Sequence, residues 1–276
     1  MTTIDRIGTT LGPDVLEATR RLFDQEQHAL AGRVPAVAAD LAYGPDERHR
    51  LDLYGTPASA APVILFVHGG GFLKGDKAAD GWPNAAVGRW AAEQGFLGAV
   101  MNYRLAPDHA WPAGGEDVLA AIDWLAANAG RFGGDPQRIV LVGTSAGAVH
   151  GATAVRLRPD LAVRGLALMS GLYGYTPLDA RDTFYYGDEA LYPARMPRDA
   201  VVATTLPILL ACAEYDPPRF QAEWAGLIRD RLAQHGHLPR CHYASGHNHY
   251  SMALHLGTSD RRLADELADF VRNCCR

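Results

Sequence analysis

Ser145 sits in Gly143-Thr144-Ser145-Ala146-Gly147, a Gly-x-Ser-x-Gly run between the apolar stretch Ile139 to Val142 and a segment with helical character. A serine on a sharp strand-to-helix turn exposes its hydroxyl, and a Cβ at either flanking glycine would crowd the neighbouring chain. The helix start then aims backbone N–H groups at negative charge developing beside it. That arrangement suits nucleophilic attack on an acyl carbon. Five residues with three fixed positions arise by chance, so the run needs partners elsewhere.

Three other segments can supply them. His68-Gly69-Gly70-Gly71 follows the apolar run Pro62 to Val67. Glycines let the backbone curl tightly and turn its N–H groups toward a ligand. Gly70 and Gly71, with Ala146, give the donors that an acyl-transfer oxyanion requires. The run lacks the Gly-x-Gly-x-x-Gly pattern of a dinucleotide loop. A serine hydroxyl also needs a base, and sheets carrying this turn use the chain order serine, acid, histidine. Near the end stands Gly246-His247-Asn248-His249-Tyr250. His249 completes a Gly-x-x-His spacing and is the expected base, with His247 as the alternative; His242 lies within a strand and reads as structural. Glu214-Tyr215-Asp216-Pro217 follows the apolar run Pro207 to Cys212. Asp216 is the expected acid, able to accept from the histidine and fix its tautomer. Glu214 is its rival.

These residues need rigid elements to hold them. Arg50 to Tyr54 alternates as a strand should. Pro62 to Val67, Phe96 to Tyr103, Arg138 to Gly143, Gly165 to Ser170, Pro207 to Cys212 and Arg240 to Ala244 read as further strands, mostly continuous in hydrophobicity. Helical spacing marks Asp14 to Leu30, Trp82 to Gln94, Gly115 to Ala129, the segment from Ala146, Gln221 to Gln234 and Arg261 to Asn273. Alternation of this kind calls for an α/β fold with a mostly parallel sheet between helical layers. The stretch Leu172 to Thr205 breaks the pattern. It is rich in Tyr, Pro and Arg, and long irregular connections tend to be functional, so a lid over the site is expected there.

The 276 residues, 48% hydrophobic, fit one large α/β domain. A net charge of −5, with no basic cluster, argues against a nucleic-acid partner. No stretch is apolar enough for a membrane helix, and Met1 to Leu11 lacks the pattern of a leader peptide. The four cysteines, Cys212, Cys241, Cys274 and Cys275, lack metal-site spacing and read as buried or incidental thiols. Thiols of this kind suit a reducing, cytoplasmic setting.

Together these motifs resemble the α/β-hydrolase superfamily, in its hormone-sensitive-lipase-like branch of small carboxylesterases. His68 to Gly71, Asn102-Tyr103-Arg104-Leu105-Ala106-Pro107 followed by Trp111-Pro112-Ala113 and Asp117, Gly143 to Gly147, and Ala213 to Pro217 match that branch in order across about residues 63 to 250. Tyr43-Gly44-Pro45, Arg50 to Tyr54 and Gly246 to Ser251 are similar to acetyl-xylan/feruloyl-esterase-like and arylformamidase-like relatives. Typical members of the branch have Gly and an aromatic residue after the histidine, where this chain has Tyr250-Ser251. The resemblance implies one domain spanning 1–276. It implies an eight-stranded, mostly parallel sheet flanked by helices, with a cap helix at about 14–31 and a lid at about 172–205. It implies a serine esterase acting on small acyl esters, with an arylformamidase or amidase as the alternative. It further implies catalytic Ser145, Asp216 and His249, an oxyanion hole of Gly70, Gly71 and Ala146, and no metal or organic cofactor. The expected partner is a small-molecule ester, and a homodimer is compatible with such a chain. Arg104 and Asp117 read as a structural pair, Trp111-Pro112 as a cis bond in a turn, and Lys74 and Asp76 as tethers of the glycine loop. Phe72, Trp82, Tyr173, Tyr185, Tyr186 and Tyr250 are candidate pocket walls.

Overall fold

The computed structural model describes residues 3–58 and 60–276, so the start of the segment read above for a leader, Met1 and Thr2, lies outside them. One eight-stranded sheet organises the chain. Its strands are β1 (Ala36–Ala42), β2 (Arg50–Tyr54), β3 (Ala61–Val67), β4 (Leu97–Met101), β5 (Gly134–Thr144), β6 (Gly165–Met169), β7 (Ile208–Tyr215) and β8 (Arg240–Asn248). The spatial order is β1-β2-β4-β3-β5-β6-β7-β8. The pairs β1/β2 and β2/β4 are antiparallel, and every later pair is parallel.

Why continuous apolar runs became strands is visible in where alternate residues go. In β3, Val63, Leu65 and Val67 enter one core while Ile64 and Phe66 enter another. Ile139 and Leu141 of β5 share the first core, and Val140 and Val142 the second. A strand buried on both faces needs apolar residues at every position. The first core is closed by the helices Ala113–Asn128, Ala146–Leu157 and Pro218–His235. The second is closed by Ala85–Glu93 and Arg262–Cys274.

Three sequence expectations need adjustment. The cap helix expected over 14–31 is two helices, Pro13–Arg21 and Asp24–Arg33. The break at Leu22-Phe23 lets Phe23 pack into the small cluster of Trp82, Ala86 and Leu254. β1 escaped the residue-level reading altogether. β8 runs to Asn248, four residues past the expected end. The Leu172 to Thr205 stretch is a chain of short pieces, the longest being the helix Arg198–Ala203. Among the described residues no helix is long and apolar enough to cross a membrane.

Candidate active site

The C-terminal ends of the five neighbouring parallel strands β3, β5, β6, β7 and β8 converge, as ligand sites on open α/β sheets do. β5 ends at Thr144, and Ser145 follows with φ +54°, a left-handed conformation, before the helix Ala146–Leu157 begins. The flanking glycines are sterically required. A Cβ on Gly147 would stand 2.0 Å from the Val67 carbonyl oxygen, and one on Gly143 2.5 Å from that of Gly147. The helix can therefore pass hard against β3 and the glycine loop only with bare backbone at these two positions.

β8 delivers His249, and β7 delivers Asp216. The imidazole Nε2 lies 2.9 Å from Ser145 Oγ, and Nδ1 lies 2.6 Å from Asp216 Oδ1. Asp216 is wholly buried. Burial by itself would raise its carboxyl pKa. The adjacent His249, its hydrogen bond, and donors from Ser170 and the Ala213 N–H outweigh that and hold it below the ordinary carboxylate range. A carboxylate at Oδ1 can only accept, so Nδ1 carries the proton and Nε2 presents its lone pair to the serine hydroxyl. That is the tautomer a general base needs. Phe220 packs on the imidazole, with ring centroids 4.4 Å apart.

The sequence rivals take other places. His247 turns away from Ser145, with Nε2 3.1 Å from Asp260 Oδ2. Glu214 accepts from the Gly246 N–H at 2.7 Å and so braces the loop before His249. Both are positioned near the acid and the base without touching the serine.

The glycine loop follows β3. Gly70 has φ +140°, and a Cβ there would stand 1.8 Å from the Lys74 carbonyl oxygen. Gly71 has φ +60° with open space around it. Asp76 Oδ2 accepts from Asn102, whose own amide oxygen accepts from the Lys77 N–H, so Asp76 does tether the loop. The part of Lys74 is a backbone one, and its side chain is exposed at the pocket. Arg104 and Asp117 form the expected structural pair, at 2.8 Å through Nε, joined by His49 at 3.0 Å. The Trp111-Pro112 bond is cis, as is Ala106-Pro107.

Around Ser145 the cleft has two lobes that share Pro13, Gly70, Lys74, His249 and Tyr250. One, about 240 Å³, is bounded by Gly71, Phe72, Ala146, Val149, Leu172 and Phe220. The other, about 490 Å³, runs along Leu16, Asp76, Pro83, Ala253 and Leu254. Ser145 itself borders both lobes. Gly70, Gly71 and Ala146 all border the first lobe, and the Ala146 N–H, first in its helix, has no partner within that helix.

Of the candidate pocket walls, Phe72 and Tyr250 line the cleft. Trp82, Tyr173, Tyr185 and Tyr186 do not; all four are buried. Trp82 donates to Asp24 at 2.9 Å. Tyr185 stacks on Phe72 at 4.4 Å with rings 6° from parallel, so it braces the glycine loop from behind.

Several contributing residues were not foreseen. Ser170 donates to Asp216 Oδ2 at 2.6 Å, and the Cys212 thiol lies 3.2 Å from the same oxygen. Cys212 is therefore a buried thiol, as read, with a partner that the sequence did not indicate. Glu223, buried, accepts from the N–H groups of Tyr173, Gly174, Tyr175 and Thr176 and from the Thr176 hydroxyl. One carboxylate thus pins the start of the Leu172 to Thr205 stretch. Gly12 donates to the Tyr250 hydroxyl at 2.9 Å, which brings the N-terminal segment over the site. The only hint of these was position: Ser170 closes a strand next to β7.

Known proteins agree with this architecture. Residues 51–158 match the BD-FAE family model. Esterase LipQ of Mycobacterium tuberculosis is 28% identical over 87% of this chain and 63% of its own length. Esterase LipC of the same organism is 41% identical over 41% of this chain and 29% of its own. The chain thus spans less than two thirds of these relatives. Esterase LipW of Mycobacterium marinum superposes with a TM-score of 0.74 at 21% identity, covering 99% of this chain and 97% of that one. Sheet order, the turn at Ser145 and these likenesses coincide: the chain has the α/β-hydrolase fold.

Proposed function

We propose that this protein is a serine carboxylesterase that hydrolyses small acyl esters through an acyl-enzyme. The observation that carries the reading is the continuous relay from Ser145 Oγ through His249 to Asp216, at 2.9 and 2.6 Å, opening on a cleft bordered by Gly70, Gly71 and Ala146. Ser145 attacks the ester carbonyl while His249 Nε2 takes its proton. The buried Asp216 carboxylate stabilises the imidazolium that results. The oxyanion is held by the N–H groups of Gly70, Gly71 and Ala146. His249 then protonates the leaving alcohol, and a water activated by the same imidazole releases the acid.

A small acyl group is supported by the limited volume of the 240 Å³ lobe, which Phe72, Leu172 and Phe220 line. The lid role of residues 172–205 is supported by Leu172 and Asp182 at the cleft and by Glu223 pinning the segment. A cytoplasmic setting fits the four cysteines, all unpaired.

The test is turnover of p-nitrophenyl acetate by wild type and Ser145→Ala, with N-formylkynurenine run in parallel. Ser145→Ala should lose on the order of 10⁴ or more in kcat and resist a fluorophosphonate probe. Near-normal turnover by that variant would sink the assignment. Faster turnover of the formamide than of the ester would move the reading to an arylformamidase.

A further inference from the structure

Behind the base loop, away from Ser145, three side chains converge: His247, His255 and Asp260, with one ligating atom of each within 4.8 Å of the others. Their protons can be placed from their neighbours. His255 Nδ1 is 2.5 Å from the Ser251 carbonyl oxygen, which can only accept, so Nδ1 carries the proton and Nε2 is a bare lone pair. That Nε2 is fully buried and has no hydrogen-bond partner. The Ser251 hydroxyl accepts from the Asn248 N–H at 2.9 Å, and its own proton has two acceptors within reach, the Asn248 carbonyl oxygen at 3.1 Å and His247 Nδ1. His247 Nδ1 is 3.0 Å from the Ser251 hydroxyl oxygen and can accept its proton. His247 Nε2 then donates to Asp260 Oδ2, which can only accept, at 3.1 Å. A metal ion on Nε2 takes the place of that proton, and the neutral ring then carries its proton on Nδ1.

Arg262 is the cation present. Its outer nitrogen is 2.6 Å from Asp260 Oδ2 and 3.4 Å from His247 Nε2. It does not reach His255 within hydrogen-bond distance, and its Nε holds the other Asp260 oxygen at 3.0 Å. The guanidinium therefore satisfies part of the cluster and leaves the buried Nε2 of His255 without a partner. A smaller cation would satisfy all three.

We propose that His247, His255 and Asp260 bind one divalent transition-metal ion, zinc by the chemistry of the donors. Two imidazoles and a carboxylate suit zinc, and hydrogen bonds from the far ring nitrogens orient metal-ligating histidines in the way Ser251 does here. The ion takes the place of the outer nitrogen of Arg262 on Oδ2, while Arg262 keeps Oδ1. It enters from a cavity of about 480 Å³ bordered by Glu214, Gly246, His247, Asp260 and Arg262. Binding joins Asn248's neighbour His247 to the segment up to Arg262 and so braces the loop that carries His249. The site stands independently of the esterase reading.

Isothermal titration of the full chain, stripped with EDTA, decides it, with zinc chloride as the probe and magnesium chloride beside it. Wild type should take up one zinc per chain and no magnesium, and its melting temperature should rise with zinc. His255→Gln and Asp260→Asn should each weaken zinc at least about tenfold. Arg262→Gln should bind at least as tightly as wild type, because the competing cation is gone. No uptake by wild type overturns the proposal. So does uptake unchanged in either ligand variant, which would place zinc elsewhere, at exposed Cys241 or the His235 and His237 pair. Weakened uptake in Arg262→Gln would mean that the cluster is an ion pair and not a metal site. If His255→Gln fails to fold, Asp260→Asn, nearer the surface, carries the decision.

Discussion

Two adjacent glycines in the loop after β3 should differ sharply when each is replaced by alanine. At Gly70 the new Cβ meets the Lys74 carbonyl oxygen at 1.8 Å, and φ is +140°. Ordinary contact needs about 3.5 Å, so the loop must move by well over an ångström. Misplacement on that scale costs about 10²-fold in a catalytic geometry. Loss of one oxyanion donor costs about 10²–10³, or roughly 3–4 kcal/mol. At Gly71 the Cβ meets nothing within 4 Å, and only the left-handed backbone at φ +60° resists it. That strain is about 1–2 kcal/mol, and it falls mainly on stability. The assay is kcat on p-nitrophenyl acetate with thermal melts of both variants. Gly70→Ala should lose roughly 10²–10³ in kcat with an otherwise folded protein. Gly71→Ala should stay within about tenfold of wild type while melting slightly lower. The reasoning fails if Gly70→Ala turns over within about threefold of wild type, or if the two variants fall equally.

Ser170 acts through Asp216 and is a positioning residue. Removing its 2.6 Å hydrogen bond to the buried carboxylate, of the charged class worth about 1.5–3 kcal/mol, should lower kcat roughly tenfold with little change in KM. Ser170→Gly relieves the φ of +50° and Ser170→Ala does not, so an equal loss in both would assign the effect to the hydroxyl and not to strain. Acid stability should follow His68 and His150, whose imidazoles burial pushes down to about 4 and about 3. Both are neutral in the folded chain, while the unfolded chain takes up protons near pH 6.5. Stability is therefore lost as pH falls below about 6.5, by on the order of 2 kcal/mol for each histidine between pH 7 and 5. Urea midpoints at the two pH values measure it, and an unchanged midpoint would contradict the burial argument.

The sheet was legible because its central strands are buried on both faces. β3, β5, β6 and β7 cannot place a polar residue at most positions, and the apolar runs announce them. β1 gave no such signal. Ala36–Ala42 lies at the sheet edge, mostly exposed, and its pairing with β2 shifts register twice, the second time across Asp40 at φ +54°. An edge strand held by hydrogen bonds and tolerant of alanine has no pattern to read. The N-terminal helical spacing was real, but periodicity carries no information on a break that exists because Phe23 finds a pocket beside Trp82 and Leu254.

The candidate site divides along the same line. Ser145, the glycine loop, Asp216 and His249 each end or follow a strand, and their chain order is a consequence of sheet topology. Residues that tune them depend on which strands lie side by side. Ser170 reaches Asp216 because β6 pairs with β7 in parallel, with Met169 opposite Ala211. That register is a property of the assembled sheet. The choice between His247 and His249 has the same origin. The two differ by a two-residue step, which on a regular strand would put both on one face. The β7/β8 register shifts between Ala213 and Tyr215, and β8 ends at Asn248. The irregular end directs His249 to Ser145 and leaves His247 facing Asp260. A single misalignment in one parallel pair therefore decides which histidine meets the serine and which meets the acidic cluster behind it.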